Sequence, residues 1–226
     1  MGMLVKRLIK NINGKYNPLG IWKRTKMRKM LINKDITFLC PNCIGGILFH
    51  DLGLQFQSPT VNLMMYQTDF AKFLLNLRHY LAQEFVPILD PVKENVPCAK
   101  LDDIVVYFTH YSSVEEGISK WKKRMQRMNF ENMFVFLEER DGIDYETIKQ
   151  LGSLDIKGLV IFTAHNYPEL PYCLYIPEYE KDGEVGNILE INQITQQRKY
   201  EQLFDFVKWF NEAHGMPYDV KTFSLL

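Results

Sequence analysis

The chain has 226 residues, 46 % hydrophobic and 13 % aromatic, enough to bury one substantial core without disulfide support. Lysine plus arginine equals aspartate plus glutamate at 27 each, which argues against a uniformly basic nucleic-acid-binding surface. Four scattered cysteines, Cys40, Cys43, Cys98 and Cys173, make no disulfide scaffold, and every apolar run falls short of the roughly 20 residues a spanning helix needs. Both features point to a cytoplasmic protein.

The charges balance in sum but not in place. Ten of the 27 cations precede the first acid, Asp35, leaving 17 cations to face all 27 acids in the remainder. A basic arm over residues 1–34 therefore precedes a single, more acidic domain over 35–226. Within the arm, Leu4, Val5, Leu8, Ile9 and Ile12 share one helical face while Lys6, Arg7 and Lys10 lie away from it. Such a helix suits either an anionic membrane surface or the acidic body of its own domain.

Beyond the arm, short β-branched or aromatic runs alternate with segments of helical period. The predicted fold is α/β: a mostly parallel sheet flanked by helices in three layers, Rossmann-like, behind a basic N-terminal helical arm. Strands are expected near 36–40, 61–66, 104–109, 133–137, 159–163 and 173–176. One helix is predicted over 69–85, where Phe70, Phe73, Leu74, Leu77 and Leu81 form a stripe. A second starts at Ser113, three residues before Glu116 as in a capping box, and carries Val114, Ile118, Trp121, Met125 and Met128 on one face. A third covers 145–151, and a fourth, over 198–213, is closed by Gly215 and Pro217. The stretch 177–187 reads as a long surface loop or hairpin.

Three places carry candidate chemistry. Cys40-Pro41-Asn42-Cys43-Ile44-Gly45-Gly46 follows the first strand. Gly45 and Gly46 at a strand-to-helix turn let backbone N–H groups approach a phosphate, or simply permit a tight turn. Cys40 and Cys43 lack the second close Cys or His pair that a zinc site needs, so no metal is expected, and Cys43 alone stands as a nucleophile candidate. Next, Thr109-His110-Tyr111-Ser112-Ser113 ends a strand, where ligands of open α/β sheets gather; His110 is either an acid–base residue or a loop-bracing imidazole. Finally, Lys120 to Arg127 form a basic helix that suits an anionic ligand or plain solvation.

These residues match a known pattern. The run from Asp35 to Gly46, then Leu52-Gly53-Leu54, Ser58-Pro59-Thr60-Val61, Phe70 to Leu74 and Leu77 to Leu81, followed by His110-Tyr111, Glu115-Glu116, Lys120-Trp121, Arg124, Asn129 and Asn132, resembles a bacterial family of unknown function labelled exopolysaccharide or capsular polysaccharide biosynthesis protein. The resemblance fades after Phe136. It implies an α/β fold and no fixed set of catalytic residues. Cys40-Pro41 and Ile44 depart from the pattern, which leaves Asn42, Cys43, Gly45 and Gly46 as the part of interest.

Taken with the residues, the resemblance implies a transferase, glycosyl or acyl, that passes a group from an activated, phosphate-containing sugar or acyl donor to a saccharide acceptor, with no cofactor specified and no nucleic-acid partner. His110 and Cys43 are its catalytic candidates, and Asn42, Gly45, Gly46, Ser58, Tyr111, Lys120 and Arg124 its substrate-binding candidates. The rival expectation is a non-catalytic, membrane-associated partner of the polysaccharide assembly machinery. In that case the cationic surfaces matter and His110 does not.

Overall fold

The computed structural model describes residues 18–90, 93, 96–216 and 218–226. The amphipathic stretch from Leu4 to Ile12 and the helix-closing Pro217 lie outside them. Helix α1 (Pro18–Met30) leads into strand β1 (Thr37–Leu39) and helix α2 (Ile44–Leu52). Helices α3 (Gln67–Leu75) and α4 (Leu77–Leu81) precede strands β2 (Phe85–Ile88), β3 (Cys98–Leu101) and β4 (Ile104–Tyr107). Helix α5 (Val114–Met125), β5 (Met133–Glu138), α6 (Tyr145–Leu151), β6 (Gly158–Thr163), β7 (Cys173–Tyr175), α7 (Lys199–Leu203) and α8 (Phe206–Glu212) follow.

The fold is mixed α/β with two sheets. Four strands, in the order β1-β5-β6-β7, pair in parallel throughout. Its middle strands, MFVFLE and GLVIFT, are apolar almost without interruption because both faces are covered, and every one of their residues is buried. The second sheet, β2-β3-β4, is antiparallel. The expected strand over 104–109 belongs to this second sheet, as the outer arm of a tight hairpin turning at Asp102, whose φ is 59°. Strands β2 and β3 are not expected from the sequence, where the predicted helix runs to Phe85. Pro87 is tolerated because β2 lies at the sheet's edge.

Other expectations shift for local reasons. The helix over 69–85 divides at Asn76, which leaves helical dihedrals (φ −127°, ψ 39°). The helix over 198–213 divides at Phe204, which bridges to Ser224, and restarts where Asp205 accepts the Lys208 backbone N–H at 2.9 Å. The segment 61–66 makes a single bridge, Met64 to Tyr107, because Asn62 occupies the left-handed region at φ 63°. The cap on α5 forms as expected: Ser113 Oγ accepts the Glu116 N–H at 3.2 Å, while the Glu116 carboxylate turns to Ser112. Residues 177–187 form a loop beginning in one 3-10 turn, Pro177–Tyr179, with Val185 tucked inside.

Aromatic packing locks helices to the sheet. Trp209 of α8 meets Phe134 of β5 edge-on at 4.9 Å and donates its indole N–H to the Tyr218 hydroxyl at 2.7 Å. Trp121 of α5 is buried against Phe73 and Phe85, so it serves the core and is unavailable for stacking on a ligand. Helix α1 is held on α2 and α7: Arg28 donates to the Asp51 and His50 carbonyls, and Lys23 is ion-paired with Glu201. Among the described residues, no helix is long and apolar enough to cross a membrane.

Candidate functional site

Strand β1 ends at Leu39, and the chain turns through Cys40-Pro41-Asn42-Cys43 into α2, so the N-cap residue Cys43 stands at the positive end of a helix dipole. His110 arrives from the loop between β4 and α5. Its Nε2 lies 3.0 Å from the Cys43 Sγ, a contact between residues 67 positions apart. The two line a cavity of about 540 Å³ whose walls include Lys23 and Arg24 of α1, Gly46 and His50 of α2, Asn62, and Arg198 at the start of α7.

Burial pushes the Cys43 thiol above its ordinary range, and the Arg198 charge pulls the other way. The shift favours the protonated thiol over the thiolate. His110 is the base within reach when Cys43 becomes a nucleophile. The other three cysteines are buried free thiols, and burial raises Cys40 and Cys173 strongly. Iodoacetamide is therefore expected to label Cys43 and spare Cys40, Cys98 and Cys173. The rate should keep climbing past pH about 8.5 and should fall in His110→Ala. Peptide mass mapping checks this; a rate that levels off near neutral pH would mean that Cys43 is already a thiolate.

Of the other motif residues, Gly46 also borders the cavity, and a Cβ there would stand 2.3 Å from the Asn62 Oδ1, so glycine is what admits the Asn62 amide. The remaining residues brace the site. Asn42 accepts the Ile44 N–H at 3.0 Å and donates to the Glu138 carboxyl at 2.5 Å, joining the Cys43 turn to the end of β5. Gly45 packs on Cys40. Ser58 is fully buried and bonded to Thr60, whose hydroxyl accepts the Cys40 N–H. Arg124 and Tyr111 bond each other, and both donate to the Val61 carbonyl, next to Asn62. Lys120 lies with Lys123, Arg124 and Arg127 at a shallow depression beyond Phe56, beside the cavity and outside it.

Several contributors were not legible in sequence. Lys23, Arg24 and Arg198 come from distant segments and enter the cavity by tertiary packing alone. Glu138 is the one charged residue in the buried strand MFVFLE, a signal that was available, because a carboxylate inside such a run must be neutralised or partnered. Its neighbour Glu139 organises a second cluster at the same sheet edge. It accepts from His165 Nδ1 at 2.8 Å, the Tyr167 hydroxyl at 2.6 Å and the Ala164 N–H at 2.7 Å. Among the described residues, no group of three or more His, Cys, Asp or Glu side chains is gathered to hold a metal ion.

The chain is 38 % identical over 190 residues to an uncharacterized protein of Haemophilus influenzae, an alignment covering 84 % of this chain and 90 % of that one. The sequence profile described as "Domain of unknown function (DUF1919)" matches residues 19–211, a span that runs from α1 into α8 and takes in both Cys43 and His110. The chain belongs to the DUF1919 family.

Proposed function

We propose that this chain is an acyl transferase of surface-polysaccharide biosynthesis, working at the cytoplasmic face of the membrane, with Cys43 as nucleophile and His110 as its base. The observation that carries this reading is the 3.0 Å contact between Cys43 Sγ and His110 Nε2 at the start of α2, inside a cavity whose walls carry Lys23, Arg24 and Arg198 beside Asp51 and Glu201. The polysaccharide context is supported by the resemblance of the Asn42–Gly46 and His110–Arg124 motifs, and the chemistry by the site. The sheet that presents Cys43 at its carboxyl edge is read as a Rossmann-like layer.

An acyl donor suits the site, because a thiol adds readily to an activated acyl carbon and His110 stands beside it to take the proton. In the first step Cys43 gives its proton to His110 Nε2 as Sγ adds to the carbonyl carbon of a thioester. The carbonyl oxygen takes the electron pair and faces the N-terminal turn of α2 and the Asn62 amide. The donor's sulfur then leaves with the proton held on Nε2. In the second step Nε2 takes the proton of a saccharide hydroxyl, whose oxygen attacks the acyl-Cys43, and that proton returns to Sγ as the thiol departs. The donor's phosphates lie toward Arg24 and Arg198, Lys23 being held by Glu201.

Thermal-shift measurements with acetyl-CoA and with nucleotide sugars test the assignment, because a ligand at 100 times its Kd stabilises the fold by about 2.7 kcal/mol. Acetyl-CoA is expected to raise the midpoint, and Arg198→Ala to diminish the rise. No shift with any donor would favour the non-catalytic reading, which draws on the many motif residues that brace the scaffold.

A further inference from the structure

Helix α1 has two sides. The inner one, with Gly20, Lys23 and Arg24, walls the Cys43–His110 cavity and is anchored through Lys23 and Arg28. On the outer one, Leu19, Ile21, Trp22 and Met30 are exposed by 42, 45, 61 and 48 %, and Ile32 just beyond is exposed by 82 %. Leu19, Trp22, Lys26 and Met30 fall at i, i+3, i+7 and i+11, so they form one stripe along the helix. Next to the stripe runs a groove of about 240 Å³ with Trp22, Met30 and Phe204 among its apolar walls and the Lys23–Glu201 pair and Asp205 among its polar ones.

A helix turned toward water carries polar residues on that side. This one mixes exposed large apolar side chains with the exposed cations Lys26 and Lys29, and no acid lies between Pro18 and Lys34. Lys26 lies 5.5 Å from the Trp22 ring, combining an apolar anchor with a charge. The acids nearest the face are engaged: Glu201 pairs with Lys23, and Asp205 caps α8. Exposed Trp22, Met30 and Ile32 bordered by Lys26 and Lys29 find their complement in an anionic lipid surface, which supplies hydrocarbon for the first group and phosphate for the second.

We infer that the outer face of α1 and the adjoining groove rest on an anionic bilayer, so that the cavity opens at the membrane surface and the acyl acceptor is a lipid-linked saccharide. The acceptor's identity rests on the transferase reading; the docking surface does not. The groove shares Lys23 and Glu201 with the cavity, so one ion pair borders both.

Trp22 reports the contact directly, because Trp121 and Trp209 are only 3 % and 0 % exposed. With phosphatidylglycerol vesicles the full chain is expected to sediment, and its emission to shift to the blue and be quenched by brominated acyl chains. Added salt should weaken all three effects, and phosphatidylcholine vesicles should give none. Trp22→Phe should lose the spectral change and keep sedimentation, whereas Trp22→Glu combined with Met30→Glu should stay in the supernatant with an unchanged melting midpoint. Wild-type protein that stays in the supernatant at low salt overturns the inference. So does a concentration-dependent dimer that shifts Trp22 emission without lipid, since a second copy would then cover the face. Cys43→Ala should sediment like wild type, so a failed transfer reaction and a failed membrane contact are separable.

Discussion

Glu138→Gln is expected to remove a loss of stability on the order of 4 kcal/mol that the wild-type protein suffers between about pH 5 and about pH 8. The Glu138 side chain is buried at the end of β5, and that burial lifts its carboxyl to about 8; Asp141 raises it further, while Arg140 and the Asn42 amide oppose the shift. A carboxyl with a raised folded-state value keeps its proton where the unfolded chain has released it. From the ordinary carboxylate range up to about 8 the folded state therefore binds more protons, and the free energy of unfolding falls as pH rises through that window. Glutamine copies the neutral form and still accepts from Asn42 and Gln67, as Glu138 Oε2 does. Denaturant unfolding of both proteins across this range should give curves that meet near pH 5 and diverge above, with the variant more stable. Parallel curves would mean that Glu138 is ionised in the folded protein.

Cys43→Ala is expected to lower acyl transfer by about 10³-fold or more, and His110→Ala by about 10²- to 10⁴-fold. The two losses should not add, since the thiol and the imidazole act as one unit. Both side chains border solvent, so neither variant should move the melting midpoint by more than a surface substitution does. Turnover with acetyl-CoA and an acceptor sugar, measured beside the melting curve, separates chemistry from folding. Full activity in Cys43→Ala would remove the thiol from the mechanism.

Sequence pattern located most of the parallel sheet, because β5 and β6 are unbroken apolar runs bounded by turns and β1 precedes a Gly-Gly turn. It also located the capped start of α5 at Ser113. It failed where a local pattern met a tertiary constraint. Helical period ran through Asn76 and Phe204, yet Tyr80 is pinned by its hydroxyl to Asp103, and Phe204 is drawn to the C-terminal segment at Ser224. In the candidate site, Cys43, Gly46 and His110 stand on the cavity wall, each at the end of a strand or the head of a helix. Asn42, Gly45, Ser58, Tyr111 and Arg124 come together beneath it as supports, a distinction that motif spacing does not encode. Lys23 and its partners at Gln196 and Glu201 are separated by more than 170 positions, so nothing local announces that they meet.

The thiol-acyl intermediate offers the most direct test of the proposed chemistry. Wild-type protein mixed with acetyl-CoA without acceptor, quenched in acid and weighed intact, is expected to gain the mass of one acetyl group. Peptide mapping should place it on Cys43, the one half-buried thiol among four. Addition of a saccharide acceptor should discharge it, and Cys43→Ala should gain nothing. An unmodified protein at acetyl-CoA concentrations that raise its melting midpoint, or an acetyl group on another residue, would contradict the Cys43–His110 mechanism.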